Sequence, residues 1–86
     1  MAKVTIRYWA AAREAAGAAD EAVEADTLAE ALAAATAQRA PDPRLAAVFA
    51  RSSFLVDGTP AGRRPASAIA VAEGSVIEVL PPFAGG

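Results

Sequence analysis

Two alternating stretches near opposite ends of the chain constrain its fold most. Lys3-Val4-Thr5-Ile6-Arg7-Tyr8-Trp9 puts Val4, Ile6 and Tyr8 on one face and Lys3, Thr5, Arg7 and Trp9 on the other. That period of two predicts a half-buried strand, with Trp9 a large aromatic on its polar face. Val76-Ile77-Glu78-Val79-Leu80 alternates likewise, Ile77 and Val79 pointing one way and Val76, Glu78 and Leu80 the other. Pro81 ends this second strand because proline has no amide hydrogen to donate. Between them, Thr27-Leu28-Ala29-Glu30 reads as a capping box. The Thr27 side chain accepts from the Glu30 amide while Glu30 reaches back to the Thr27 amide. The helix it opens carries Leu28, Ala31, Leu32 and Ala35 on one stripe and stops before Ala40-Pro41-Asp42-Pro43, since residues preceding proline avoid helical dihedrals.

The weaker signals fill in the order. Ala10 to Ala16 suits a short helix ending at Gly17, and Asp20 to Ala25 is a strand with Val23 as its only large apolar residue. A second short helix carries Leu45, Val48 and Phe49. Phe54-Leu55-Val56 is a strand that turns at Asp57-Gly58, a hairpin dipeptide. Ala61 to Ser67 is irregular, and Ile69 and Val71 form a brief strand before a turn at Glu73-Gly74. A main helix between two hairpins covers one face of a single mixed sheet, with the first and last strands as central neighbours. The fold class is α+β, not doubly wound.

The supply of core is small: 26 residues are alanine and only 21 are larger apolar side chains. One small domain, residues 1–80, is expected, followed by an extended tail, residues 81–86. With no cysteine and no histidine, the chain has no thiolate nucleophile, no usual neutral-pH base and no standard metal site. It carries no glycine-rich phosphate loop either, so any chemistry must come from its own backbone or from a partner. A net charge of −2 and a pI near 4.9 argue against nucleic acid. Arg63-Arg64 is read as a solvated turn, and Asp20, Glu21, Glu24 and Asp26 as a solvated edge. Charges among the first residues and the lack of a long apolar run predict a cytoplasmic chain with no membrane partner.

The remaining feature is Pro81-Pro82-Phe83-Ala84-Gly85-Gly86. Two glycines without Cβ atoms can thread a channel too narrow for other residues, and the group delivered at its end is the Gly86 carboxylate. Together with Tyr8-Trp9, Arg13-Glu14-Ala15-Ala16-Gly17, the capped helix and Val56-Asp57-Gly58, this tail resembles the β-grasp, ubiquitin-like sulfur carriers. The likeness is greatest to the small subunit of molybdopterin synthase. It implies that an ATP-dependent activating enzyme adenylates Gly86 and that a sulfur donor displaces AMP to leave a thiocarboxylate. The large synthase subunit then takes the tail, residues Pro81, Pro82, Phe83, Ala84 and Gly85 threading it, and passes the sulfur to a pterin precursor. ATP is used by the activating enzyme, and no cofactor or metal stays on the chain. The chain is thus a co-substrate, not a catalyst alone. The resemblance also places Trp9, Pro60 and Leu80 in an apolar patch for the large subunit, with Arg13 beside acidic partner residues; Phe83 is read either as a tail anchor in a partner groove or as a side chain folding back on this domain's surface. The alternatives are a carrier for cysteine or thiamine biosynthesis, a ubiquitin-like modifier that joins Gly86 to lysines, and a binding module without tail chemistry. The segment 61–67 is longer and more basic than is usual in the family.

Overall fold

The structure, a computed structural model, describes residues 1–82. Its elements are β1 (Ala2–Tyr8), α1 (Ala10–Ala16), β2 (Asp20–Ala25), α2 (Leu28–Ala37), α3 (Arg44–Phe49), β3 (Ser53–Val56), β4 (Thr59–Pro60), a 3-10 turn (Ala66–Ala68) and β5 (Val76–Leu80). The strands form one mixed sheet in the order β2-β1-β5-β3-β4. β1 and β5 lie parallel at its centre, Thr5 opposite Val76 and Tyr8 opposite Val79, and the other pairings are antiparallel. The expected α+β, β-grasp arrangement is the observed one.

Alternation sets which face is covered. Val4, Ile6 and Tyr8 of β1 and Ile77 and Val79 of β5 are buried with Leu28, Ala31, Ala35, Leu45, Val48 and Phe49 of the helices. Aromatic rings fill the space that alanines leave. Tyr8 stacks on Phe49 with centroids 6.4 Å apart, and Phe49 meets Phe54 edge-on at 6.1 Å, arrangements favoured by the ring quadrupole. Among the described residues, the opposite sheet face carries no helix.

Asp57 and Gly58 adopt φ values of 51° and 82°, left-handed at both central positions as the two-residue hairpin turn requires. The Asp57 carboxylate accepts from the Val76 amide at 2.9 Å and from the Ser75 hydroxyl at 2.8 Å, tying the turn to the start of β5. These two hydrogen bonds, the Val76 amide first, hold its carboxyl below the usual carboxylate range.

Three local expectations change. The Thr27 hydroxyl caps Glu30 as expected, at 3.1 Å, but the Glu30 carboxylate accepts from the Asp26 amide at 2.7 Å, one residue earlier than a capping box places it. Ile69 and Val71 do not make a strand. Ala70 forms a single bridge to Thr27, and the short partner of β3 is β4, because the tight turn brings Thr59 and Pro60 directly opposite Val56 and Leu55. Glu21 is not a solvated edge residue, because a guanidinium from beyond α2 reaches it. Arg39 pairs with Glu21 at 2.7 Å, both side chains about 15% exposed, and also donates to the Ala16 carbonyl at 2.9 and 3.1 Å and to the Ala35 carbonyl at 2.8 Å.

That cluster joins four elements. The Tyr8 hydroxyl donates to the same Glu21 oxygen, and the Arg39 guanidinium sits 5.7 Å from the Tyr8 ring centroid, within cation–π range. Burial, and next the Glu21 carboxylate, push the Tyr8 phenol up, so it stays a neutral donor. The Glu21 hydrogen bond in turn raises the already high Arg39 value. Replacing Arg39 by methionine leaves the Glu21 carboxylate half-buried without its cation and the Ala16 carbonyl without its side-chain donor. The expected cost is ~2–4 kcal/mol, read as a lower urea midpoint at unchanged slope; an unchanged midpoint would show the cluster to be idle.

Candidate functional site at the end of the central strand

β5 carries the chain out at the end of the sheet where β1 also finishes. Pro81 is buried against the domain and Pro82 is exposed, so the described chain surfaces at Pro82. Phe83, Ala84, Gly85 and Gly86, expected to thread a partner and react, lie outside the described residues.

Around this exit the register assembles an apolar patch on the helix-free face. Leu80 is opposite Ser53 and Glu78 is opposite Leu55 across β3–β5, and Leu55 is opposite Pro60 across β3–β4. Residues directly opposite share a face, so Leu55, Pro60, Val76 and Leu80 project together. Trp9 completes the patch. It follows β1 immediately, is 46% exposed, and its indole N–H donates to Glu78 Oε1 at 3.2 Å. The chain turns sharply behind it, Ala10 taking a left-handed φ of 48°, which a residue with a side chain rarely adopts. Three of the four expected interface residues, Trp9, Pro60 and Leu80, therefore share one surface.

Arg13 stands apart from them. It is exposed on α1 and lines a depression with Ala10, Glu14, Ala19, Arg51 and Pro82. The patch and the depression meet the chain at its exit, so a protein grasping the tail can touch both. Leu55, Val76 and Arg51 were not anticipated. Alternation within Phe54-Leu55-Val56 could have placed Leu55, given the pairing of β3 with β5. Arg51 has no sequence signal, since only the packing of α3 against α1 brings it to the exit.

Among the described residues there is no group of three histidine, cysteine, aspartate or glutamate side chains able to hold a metal ion. No helix among them is long and apolar enough to cross a membrane.

A mixed sheet grasping one main helix, with the chain leaving from its central strand, is the ubiquitin-like β-grasp fold. The ThiS family model matches residues 6–86, and the chain belongs to the ThiS family. No curated protein sequence matches it. Among solved structures, small archaeal modifier protein 1 from Methanosarcina acetivorans aligns with a TM-score of 0.83 at 22% identity, over 100% of this chain and 98% of that one. The crystal structure of the same-named protein from Haloferax volcanii aligns with a TM-score of 0.77 at 25% identity, over 98% and 99%. A chain in a complex of subunits 1 and 2 of molybdopterin-converting factor from Helicobacter pylori aligns with a TM-score of 0.67 at 20% identity, over 98% and 99%.

A partly exposed side chain contributes less to stability than a buried one. Trp9→Ala should cost less than about 1 kcal/mol on unfolding, whereas Leu28→Ala, in the core, should cost ~2–5 kcal/mol. Equal losses in urea denaturation would mean that Trp9 is packed as core.

Proposed function

We propose that this chain is a sulfur carrier that acts at its C-terminal glycine, serving as the small subunit of molybdopterin synthase in molybdenum cofactor biosynthesis. The observation that carries the reading is the exit of the chain from the central strand, at the edge of the Trp9–Leu55–Pro60–Leu80 patch. A tail rooted there enters a neighbour's pocket while the patch docks on the neighbour's surface. The family match, which runs through the tail to residue 86, supports the chemistry.

A carboxylate resists nucleophiles until one oxygen becomes a leaving group. Attack of the Gly86 carboxylate on the α-phosphorus of ATP, held by an activating enzyme, releases pyrophosphate and leaves an acyl adenylate. A sulfur donor then adds to the carbonyl carbon and AMP departs, giving a thiocarboxylate. This chain's contribution is delivery. Residues 83–86 extended reach about 13 Å at ~3.3 Å each, and Pro81 and Pro82 reduce the conformational freedom lost when the tail is threaded. The large synthase subunit is the expected partner, in keeping with the subunit 1–subunit 2 complex of the Helicobacter pylori factor. The cytoplasm is the expected location, where ATP and the pterin precursor would be available.

A second reading is protein modification, favoured by the likeness to two archaeal modifier proteins. It shares the adenylate and differs in what captures it, a lysine amine in place of sulfur. Deleting Gly86 should abolish sulfur transfer in an assay with activating enzyme, sulfide and large subunit, with circular dichroism and urea midpoint unchanged. Undiminished transfer by the shortened chain would refute the mechanism.

A further inference from the structure

Lys3 is the chain's single lysine; its other seven basic residues are arginines. A guanidinium stays protonated at any working pH and offers no lone pair, whereas a lysine amine becomes a nucleophile when it loses its proton. Among the side chains here, only Lys3 can accept an acyl group as an amide. It is exposed on β1, on the helix-free face, and no hydrogen bond or ion pair holds its amine among the described residues.

The parallel pairing fixes where that amine lies. With Thr5 level with Val76 and Tyr8 with Val79, Leu80 is level with residue 9, six positions along from Lys3. At ~3.3 Å per position the span is roughly 20 Å. A Lys3 side chain leaning along the strand shortens that span by ~6 Å, and the two residues from Leu80 to Pro82 lengthen it by about as much. The chain surfaces at Pro82 beside α1, and the four residues beyond reach at most about 14 Å. Gly86 therefore falls short of the lysine of its own chain.

The two ends also differ in charge. Lys3 lies opposite Glu24 across β1–β2. The Glu73 carboxylate accepts its backbone amide at 2.9 Å, and Asp26 accepts the Ala2 amide at 3.2 Å. At the exit, the depression beside Pro82 holds Arg13, Arg51 and Glu14. The carboxylates around Lys3 thus offer partners for the Arg13 and Arg51 guanidiniums of a second copy's exit, where Glu14 and Glu78 also lie.

We propose that Lys3 is a modification site that takes the activated tail of a second copy, so that self-conjugates through this side chain form between chains, never within one. This rests on the adenylation of Gly86 proposed above. The neutral Lys3 amine adds to the Gly86 carbonyl carbon of the acyl adenylate. The bond from that carbon to the AMP oxygen breaks, AMP leaves with the electron pair, the amine proton passes to water, and an isopeptide remains. ATP, consumed in forming the adenylate, is the co-reactant.

The test incubates the purified chain with ATP and an activating enzyme proven on another carrier, without sulfide. Pyrophosphate exchange reports the adenylate, and intact mass with peptide mapping reports products. The expected products are oligomers lighter by one water per linkage, cross-linked from Gly86 to Lys3, with no dehydrated monomer. Lys3→Arg should keep full exchange and lose the oligomers. Exchange without oligomers in the native chain, oligomers persisting in Lys3→Arg, or a cyclised monomer would each overturn the inference. Absence of exchange would instead overturn the adenylation reading.

Discussion

The parallel pairing of β1 with β5 is the constraint on which the rest depends. It brings the chain's first and last strands together at the centre of the sheet, although some seventy residues separate Thr5 from Val76. Parallel neighbours need a long crossover between them, and here the crossover contains every helix. With the described helices on one face, the other is left without a helix. The same pairing sends both strand ends the same way, so Trp9 and Leu80 finish beside each other and the tail leaves next to them. A tail on an edge strand would have neither a rigid root nor that patch beside it.

A chain so rich in alanine must hold this arrangement with few large side chains. Alanine lets helices approach the sheet closely but buries little apolar area each, at ~25 cal/mol per Å². Two devices compensate. The Tyr8, Phe49 and Phe54 rings concentrate apolar contact under α3. The Arg39 guanidinium binds β2, α1 and α2 together through one carboxylate and two main-chain carbonyls. Such a charged cluster fixes a particular arrangement as much as it stabilises one, because each misplaced member leaves a polar group unsatisfied. By clasping the C-terminal end of α1, it also steadies the helix that borders the tail's exit.

Alternation in Val4-Ile6-Tyr8 and Ile77-Val79, the Thr27 cap and the Asp57-Gly58 turn were legible in the sequence because each is a local pattern with a local cause. Trp9, Pro60 and Leu80 were legible as a group through the family resemblance, and the register then brought them onto one face. What could not be read depended on distant partners. Glu21 looked solvated because nothing near it in sequence announces Arg39, eighteen positions on. Ile69 and Val71 alternate like a strand, yet they lie beside Asp26 and Leu28, where α2 begins, and only Ala70 forms a bridge there, to Thr27. Arg51 reaches the exit only through helix packing. The tail itself was the plainest signal, and its role is a matter of chemistry more than of fold.

The central claim is that Gly86 is an acyl carrier of sulfur. The most direct measurement is the intact mass of the chain after incubation with ATP, sulfide and an activating enzyme of this class, followed by mapping of the C-terminal peptide. The account predicts replacement of one oxygen by sulfur, located at Gly86. An unchanged mass, both with an enzyme proven active on another carrier and in cell extract, would contradict it.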